Sequence, residues 1–236
     1  QERELRRDRL AAASLQRLNQ PAADTTPEAQ RDHARFHLHH LPRLTIKPEH
    51  IHQLRQTILN LAVRGRLVAQ DPHDEPASEL LVKIQTDNTK LLEAGEAKER
   101  RRHCVDASVE RLFEIPKTWH WVSLGEIASE FRYGTSVKCT YEPIGYPVLR
   151  IPNIDNGRVN VEDLKFGALS VREANDLQLQ LGDILMVRSN GSLNLVGRPA
   201  LVDAHVVGFC YAGYLVRVRM STSHLDARYL LLALNT

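Results

Sequence analysis

The sequence predicts an α+β fold, with a helical first part followed by a mixed, strand-rich second part. Two observations carry this. Up to about residue 95, apolar residues recur at three- and four-residue intervals between proline and glycine breaks, the period of amphipathic helices. Beyond about residue 115, short apolar runs alternate with loops bearing Gly, Asn and Ser, the pattern of strands and turns. A third observation places the boundary: residues 96–111 are charged and weakly periodic, with Lys98, Arg100, Arg101 and Arg102 clustered, as in a linker. The expected domains are therefore 1–111, helical, and 112–236, strand-rich.

In the helical part, Glu2 to Leu18 is dense in helix formers, with Ala11, Leu15, Leu18 and Ala22 on one side and Pro21 as the stop. Thr26-Pro27-Glu28 starts a second helix, threonine as N-cap, which must end before Pro42. Pro48 opens a third, with the stripe Ile51, Leu54, Ile58 and Leu61 and Gly65 just past its end. Pro76 opens a fourth, with Leu80, Leu81, Ile84 and Leu91 and Gly95 as the stop. The last two are expected to pack on each other or on a partner chain. His33, His37 and His40 share helical spacing, but no cysteine or carboxylate completes a four-ligand set, so they read as surface or packing histidines.

In the second part, Trp119–Val122 alternates like a strand, and Ser123-Leu124-Gly125-Glu126 fits a capping box opening a short helix. Arg132–Lys138 reads as a polar, cationic loop. Pro147–Ile151 reads as a strand halted by Pro152, and Asn156-Gly157 as a hairpin turn. Ser170 caps a helix to about Leu179; strands are expected near Val206–Cys210 and over Leu215–Met220; Asp226 caps a final helix, Ala227–Leu234.

The stretch 182–202 stands out. Two apolar runs, Ile184–Val187 and Ala200–Val202, flank a polar loop holding Arg188, Ser189, Asn190, Gly191, Ser192, Asn194 and Arg198. A strand pair presenting such a loop suits recognition, although an ordinary solvated hairpin loop has the same composition. With Arg132–Lys138 and Arg150–Asn153 it makes three loops able to meet nucleic acid. Arg and Lys suit guanine edges or phosphates, Asn suits adenine, and Ser suits either. The candidate DNA-contacting residues are Arg188, Ser189, Asn190, Gly191, Ser192, Asn194, Arg198, Lys138, Ser136, Arg150 and Asn153.

Composition narrows the alternatives. With 236 residues, 42% of them hydrophobic and 25% charged, the chain has the make-up of a globular protein with one or two domains. A net charge of +2 announces no global basic field, so any nucleic-acid site must be a local patch. Three widely spaced cysteines argue against a disulfide framework and favour a reducing cytoplasm; no apolar run reaches membrane-spanning length. Both ends fall inside helical patterns, as expected of cuts in a longer polypeptide. Catalytic signatures are missing: no phosphate-cradling G-x-x-x-x-G-K-[ST] loop, no dinucleotide turn, no nucleophile elbow around Ser189 or Ser192. Asp71-Pro72 lacks the second proline and the aromatic of an adenine-methyltransferase motif.

Several spaced motifs resemble, in order, those of type I restriction–modification specificity subunits. Gly182–Ser192 with Leu195-Val196-Gly197 looks like one of their signatures, and Pro147–Ile154 like the strand that precedes it. Leu61–Val68 followed by Asp71–Leu81 resembles the segment before one of their target recognition domains, and 1–18 the end of their spacer helix. The resemblance implies a non-catalytic subunit reading one half of a bipartite sequence in double-stranded DNA. Its partners would be methyltransferase (modification) and restriction/translocase subunits, using S-adenosylmethionine, ATP and magnesium, with no cofactor in this chain. Residues 1–111 would then be conserved helical region with coiled-coil spacer, and 112–236 a target recognition domain, the second one favoured, in a cytoplasmic complex. Within the signature, Gly182, Asp183, Gly191 and Gly197 would build the loop while neighbours such as Asn194 choose the base. A scaffold that binds partner subunits without direct base readout is the alternative.

Overall fold

A computed structural model describes residues 2–22, 24–95, 113–220 and 224–235. They form two compact units, one of residues 2–72 with 113–116, the other of 73–95 with 117–235. The expected linker, 96–111, lies outside the described residues.

The first unit is helical: α1 (Glu2–Asn19), α2 (Pro27–His39), α3 (Leu41–Leu44) and α4 (Pro48–Val63). Thr26 caps α2 as expected, its Oγ1 accepting the Ala29 N–H at 3.2 Å. Helix α1 packs against the other three and buries Ala11, Leu15 and Leu18, whereas Ala22 lies beyond its end and is exposed. The stripe expected on α4 is only partly the buried face: Ile51 and Ile58 are exposed, and His50 and Thr57 are buried instead. The cause is a layer of polar pairs between α1 and its neighbours. The His50 ring approaches Asp8 at 3.2 Å, Lys47 donates to Asp8 at 2.7 Å, and Asn19 donates to Thr57 at 3.0 Å. Ser14 and His37 meet at 2.9 Å, with His37 only 1% exposed. Each pair gives one polar atom of these side chains a partner, so helix register follows the polar matches as well as the apolar stripe.

Burial of His37 pushes its pKa below the ordinary histidine value. The unfolded chain therefore takes up a proton at higher pH than the folded one. The first unit should lose stability as pH falls below about 6.5, and the loss should level off below the depressed folded-state pKa. Thermal melts of the helical signal between pH 8 and 5 check this. The slope should flatten in His37→Gln, which can still hydrogen-bond Ser14 but does not titrate.

The second unit begins with α5 (Ala77–Glu93), whose Ile84 is fully buried. This helix belongs to the strand-rich unit, so the compact division falls at 72/73 and the third and fourth expected helices sit in different units. Trp119–Val122 is not a strand; Trp119 packs edge-on to Tyr229 at 6.5 Å instead. The short helix α6 (Leu124–Ile127) carries the expected capping box, the Ser123 N–H donating to the Glu126 carboxylate at 2.8 Å.

Ten strands follow among the described residues: β1 (Ala128–Tyr133), β2 (Cys139–Thr140), β3 (Tyr146–Leu149), β4 (Ile154–Asp155), β5 (Gly157–Val159) and β6 (Lys165–Gly167). After α7 (Val171–Leu177) come β7 (Ile184–Val187), β8 (Pro199–Leu201), β9 (Cys210–Tyr211), β10 (Leu215–Met220) and α8 (Ala227–Leu234). Residues Ala204–Val206, expected near a strand, form a 3-10 turn ahead of β9. The strands make a six-stranded sheet, β1-β10-β7-β8-β5-β4, and a four-stranded one, β2-β6-β3-β9. The Asn156-Gly157 turn joins β4 to β5 with both residues at positive φ, 46° and 80°, as a two-residue hairpin loop requires.

Alternation along β7 decides the layering. Leu185 and Val187 enter the main core with Val148 and Leu149 of β3 and Tyr211 of β9, whereas Ile184 joins Val218, Ile84 of α5 and Leu230 of α8 in a second cluster. The sheet is thus buried on both faces, and its polar loops are left at the strand ends.

Candidate nucleic-acid interface

The three polar loops singled out in the sequence come together. Ser136 and Lys138, Arg150 to Pro152, and Arg188, Asn190 and Arg198 line one open groove of about 930 Å³, with Gly213 and Tyr214 from the turn before β10. A shallower recess of about 440 Å³ adds Ser189 and Gly191, against Ile151 and Tyr214. The groove lining holds five cations, Lys138, Arg150, Lys165, Arg188 and Arg198, and one carboxylate, Asp155. A chain of near-neutral overall charge thus concentrates its positive charge locally.

Each loop is held from behind. β7 and β8 pair in antiparallel register, and the loop between them is closed by the Gly197 N–H on the Val187 carbonyl at 2.9 Å and the Val187 N–H on Arg198 at 3.0 Å. Gly182 and Gly197 both sit at positive φ, and Asp183 is buried as the double acceptor of Arg219, at 2.7 and 2.6 Å. Of the four residues expected to build the loop, Gly197 closes it, whereas Gly182 and Asp183 stand at the opposite end of β7, where the Gly182 N–H donates to the Val202 carbonyl at 3.0 Å, and Gly191 shows neither a positive φ nor a close approach. The Arg132–Lys138 segment is partly strand, since β1 runs to Tyr133. Its turn is anchored at buried Thr135, whose N–H donates to Tyr211 at 2.9 Å and whose hydroxyl donates to Glu173 at 2.6 Å.

Behind this anchor lies an ionic network. Arg217, 2% exposed, pairs with Glu130, which also accepts from Arg132 at 2.9 Å; Arg132 reaches Asp176 at 3.0 Å. Burial acts to raise the Glu130 pKa, but the hydrogen bonds from Arg217 and Arg132 outweigh it and hold the carboxyl below its ordinary range. Tyr211 closes the network, its hydroxyl donating to the Arg132 carbonyl at 3.1 Å, and burial pushes that phenol's pKa up.

The candidates divide into surface and scaffold. Arg188, Arg198 and Lys138 face the groove with no carboxylate partner among the described residues. Arg150 also lines it but is tied to Asp163 at 2.7 Å, and hydrogen bonds from Tyr141 and from Arg150 hold that carboxyl below its ordinary pKa. Asn153 is a scaffold residue: 1% exposed, it accepts the Arg150 N–H at 2.8 Å and donates to the carbonyls of Asn160 and Asp163. Asn190 accepts the Ser192 N–H on its side-chain oxygen at 2.9 Å, so it helps to shape the loop while one lone pair of that oxygen remains. Ser192 and Asn194 are exposed but outside the groove lining.

Sequence reasoning missed Tyr214, Lys165 and Asp155 as groove residues. Lys165 opens a strand and Asp155 ends one, so neither falls in a polar loop, although Ala212-Gly213-Tyr214, a glycine turn with an aromatic between strands, was a readable signal. Among the described residues there is no group of three His, Cys, Asp or Glu able to hold a metal, and no helix long and apolar enough to cross a membrane.

No protein-family model matches the chain. It is 32% identical over 189 residues to the type I restriction enzyme EcoEI specificity subunit of Escherichia coli, covering 78% of this chain and 32% of that one. It is 38% identical over 126 residues to the EcoAI specificity subunit of the same organism, covering 53% and 21%. A solved HsdS subunit from Thermoanaerobacter tengcongensis aligns with a TM-score of 0.39 at 18% identity, over 78% of this chain and 40% of that one. The chain spans about a third or less of the length of these curated relatives.

Proposed function

We propose that this chain, a relative of type I restriction enzyme specificity subunits, is a non-catalytic DNA-recognition module that reads one half of a bipartite duplex target through the groove between its three loops. The observation that carries the reading is the convergence there of Arg188, Arg198 and Lys138, without a carboxylate partner among the described residues, on a backbone fixed by strand pairing. Guanidinium groups at the end of a rigid strand pair can address base edges, and a lysine adds phosphate attraction. In this reading, adenine methylation and cleavage belong to partner methyltransferase and restriction subunits, with S-adenosylmethionine, ATP and magnesium held by them. The exposed apolar residues of the helical unit, Leu38, Ile51 and Ile58 among them, favour a partner-binding role for that unit beside base readout.

The test is made in the assembled complex. Arg188→Ala should relax the methylated target at one base pair, by about 1–3 kcal/mol of discrimination. Lys138→Ala should weaken all duplexes alike and lower the slope of log K against log salt by about 0.9. An unchanged target and an unchanged salt slope in both variants would leave only the scaffold role.

A further inference from the structure

Arg188 differs from the other arginines around it in what holds its head. Arg132 and Arg217 share Glu130, Arg219 is clamped by Asp183, and Arg150 by Asp163. Arg188 has no carboxylate among the described residues; its guanidinium lies over the ring of Tyr133, 4.6 Å from the centroid. Tyr133 is 61% exposed, and so is not held in place as a core residue. Both partners stand on fixed backbone. Tyr133 ends β1 in register with Val216 of β10, Val187 faces Leu215 of the same strand, and the Arg188 N–H donates to the Tyr214 carbonyl at 2.9 Å. The central strand β10 therefore sets the spacing between platform and guanidinium.

We propose that Tyr133 is a positioning residue for base recognition: its ring holds the Arg188 guanidinium flat and pre-oriented to meet a guanine edge in the major groove. The inference rests on the reading of the groove as a DNA-recognition surface. The physics favours the stack over an ion pair at this place. A carboxylate would consume the paired donors that a guanine O6 and N7 require, whereas a ring face occupies none of them. Stacking also orders a side chain that otherwise loses considerable rotamer freedom on binding. Among the groove cations, Lys165 also sits over a ring, that of Tyr141 at 4.4 Å, but its ammonium is a point charge without a planar fork.

The experiment uses the assembled complex and a pool of duplexes randomised across the recognised half-site, with selected sequences read out for five versions: unaltered, Arg188→Ala, Tyr133→Ala, Tyr133→Phe and the double variant Arg188→Ala with Tyr133→Ala. Tyr133→Ala should lower the preference at the base pair that depends on Arg188, and only there, by about two- to fivefold, the range of an exposed cation–π contact. Tyr133→Phe should restore it, because the ring face remains. The double variant should be no worse than Arg188→Ala alone, and the melting temperature should be unchanged in both tyrosine variants. If Arg188→Ala changes one position and Tyr133→Ala none, the positioning role is overturned while the groove reading stands. An even loss at every position in Tyr133→Ala also overturns it, since that marks a general structural defect. If neither substitution alters any preference, the groove reading itself fails and takes the inference with it.

Discussion

Gly134→Ala is expected to cost about 4 kcal/mol or to prevent the second unit from folding, the largest effect of any single methyl group near the groove. A β-carbon at this position would stand 2.1 Å from the Tyr211 carbonyl oxygen and 2.5 Å from the Ala212 carbonyl. These are backbone atoms of the strand at the edge of the four-stranded sheet and of the turn after it, so no rotamer change relieves the clash. The two segments would have to part. Parting them breaks the Thr135 N–H bond to Tyr211 and the 2.7 Å bond from the Gly213 N–H to Thr135, which together fix one wall of the groove. Gly191→Ala is the control: nothing lies within 4 Å of its β-carbon position, and its effect should stay within about 0.5 kcal/mol. Urea unfolding of the two variants measures the difference. Near-equal midpoints would show that the turn yields to the methyl and that the wall is softer than its hydrogen bonds imply.

Glu130→Ala should destabilise the strand-rich unit by about 3 kcal/mol, because it leaves the buried Arg217 charge without its carboxylate. The figure belongs at the low end for a broken buried pair. Glu130 is itself partly exposed, and Arg217 keeps a hydrogen bond to the Gln178 carbonyl at 2.8 Å. Arg132 would keep Asp176 but lose its second anchor. At about 3 °C per kcal/mol for a domain of this size, the melting temperature should fall by about 10 °C. Replacing both residues by apolar ones, Glu130→Leu with Arg217→Met, should cost less than Glu130→Ala alone, since no charge is then stranded. The pH dependence carries a sign. Glu130 has a lowered pKa in the fold, so its contribution is present above the ordinary value of about 4.5 and is lost as pH falls through the depressed one. Acid melts of Glu130→Ala should lack that part of the loss, and acid profiles parallel to the unaltered chain would show that the pair is not coupled to folding.

Much of the chain could be read from its residues alone because the signals were local. The caps at Thr26, Ser170 and Asp226 and the Asn156-Gly157 turn act within four residues, and the elements they delimit stand where expected. Readings failed where a partner distant in sequence decided. Trp119–Val122 alternates like a strand but has no strand beside it, and alternation alone cannot supply a hydrogen-bonded neighbour. The α4 stripe was misjudged because Asp8 and Asn19, some forty residues earlier, bring His50 and Thr57 inside. The same division runs through the groove. Arg188, Ser136 and Lys138 were legible as polar residues in loops, while the retreat of Asn153 into the scaffold depends on three backbone groups that only the folded chain brings to it.

The sequence by itself determined the fold class, the strand pair around 182–202 and the cationic character of its loop, because periodicity, capping and charge are written residue by residue. Only the tertiary structure decided which loops share a groove, which arginines are neutralised in ion pairs, and that Arg188 rests on Tyr133. Ring and guanidinium are 55 residues apart in sequence and adjacent only because β10 pairs with β1 on one side and β7 on the other. Strand order is a property of the closed sheet, set by burying both of its faces at once, and no local pattern in the chain encodes it.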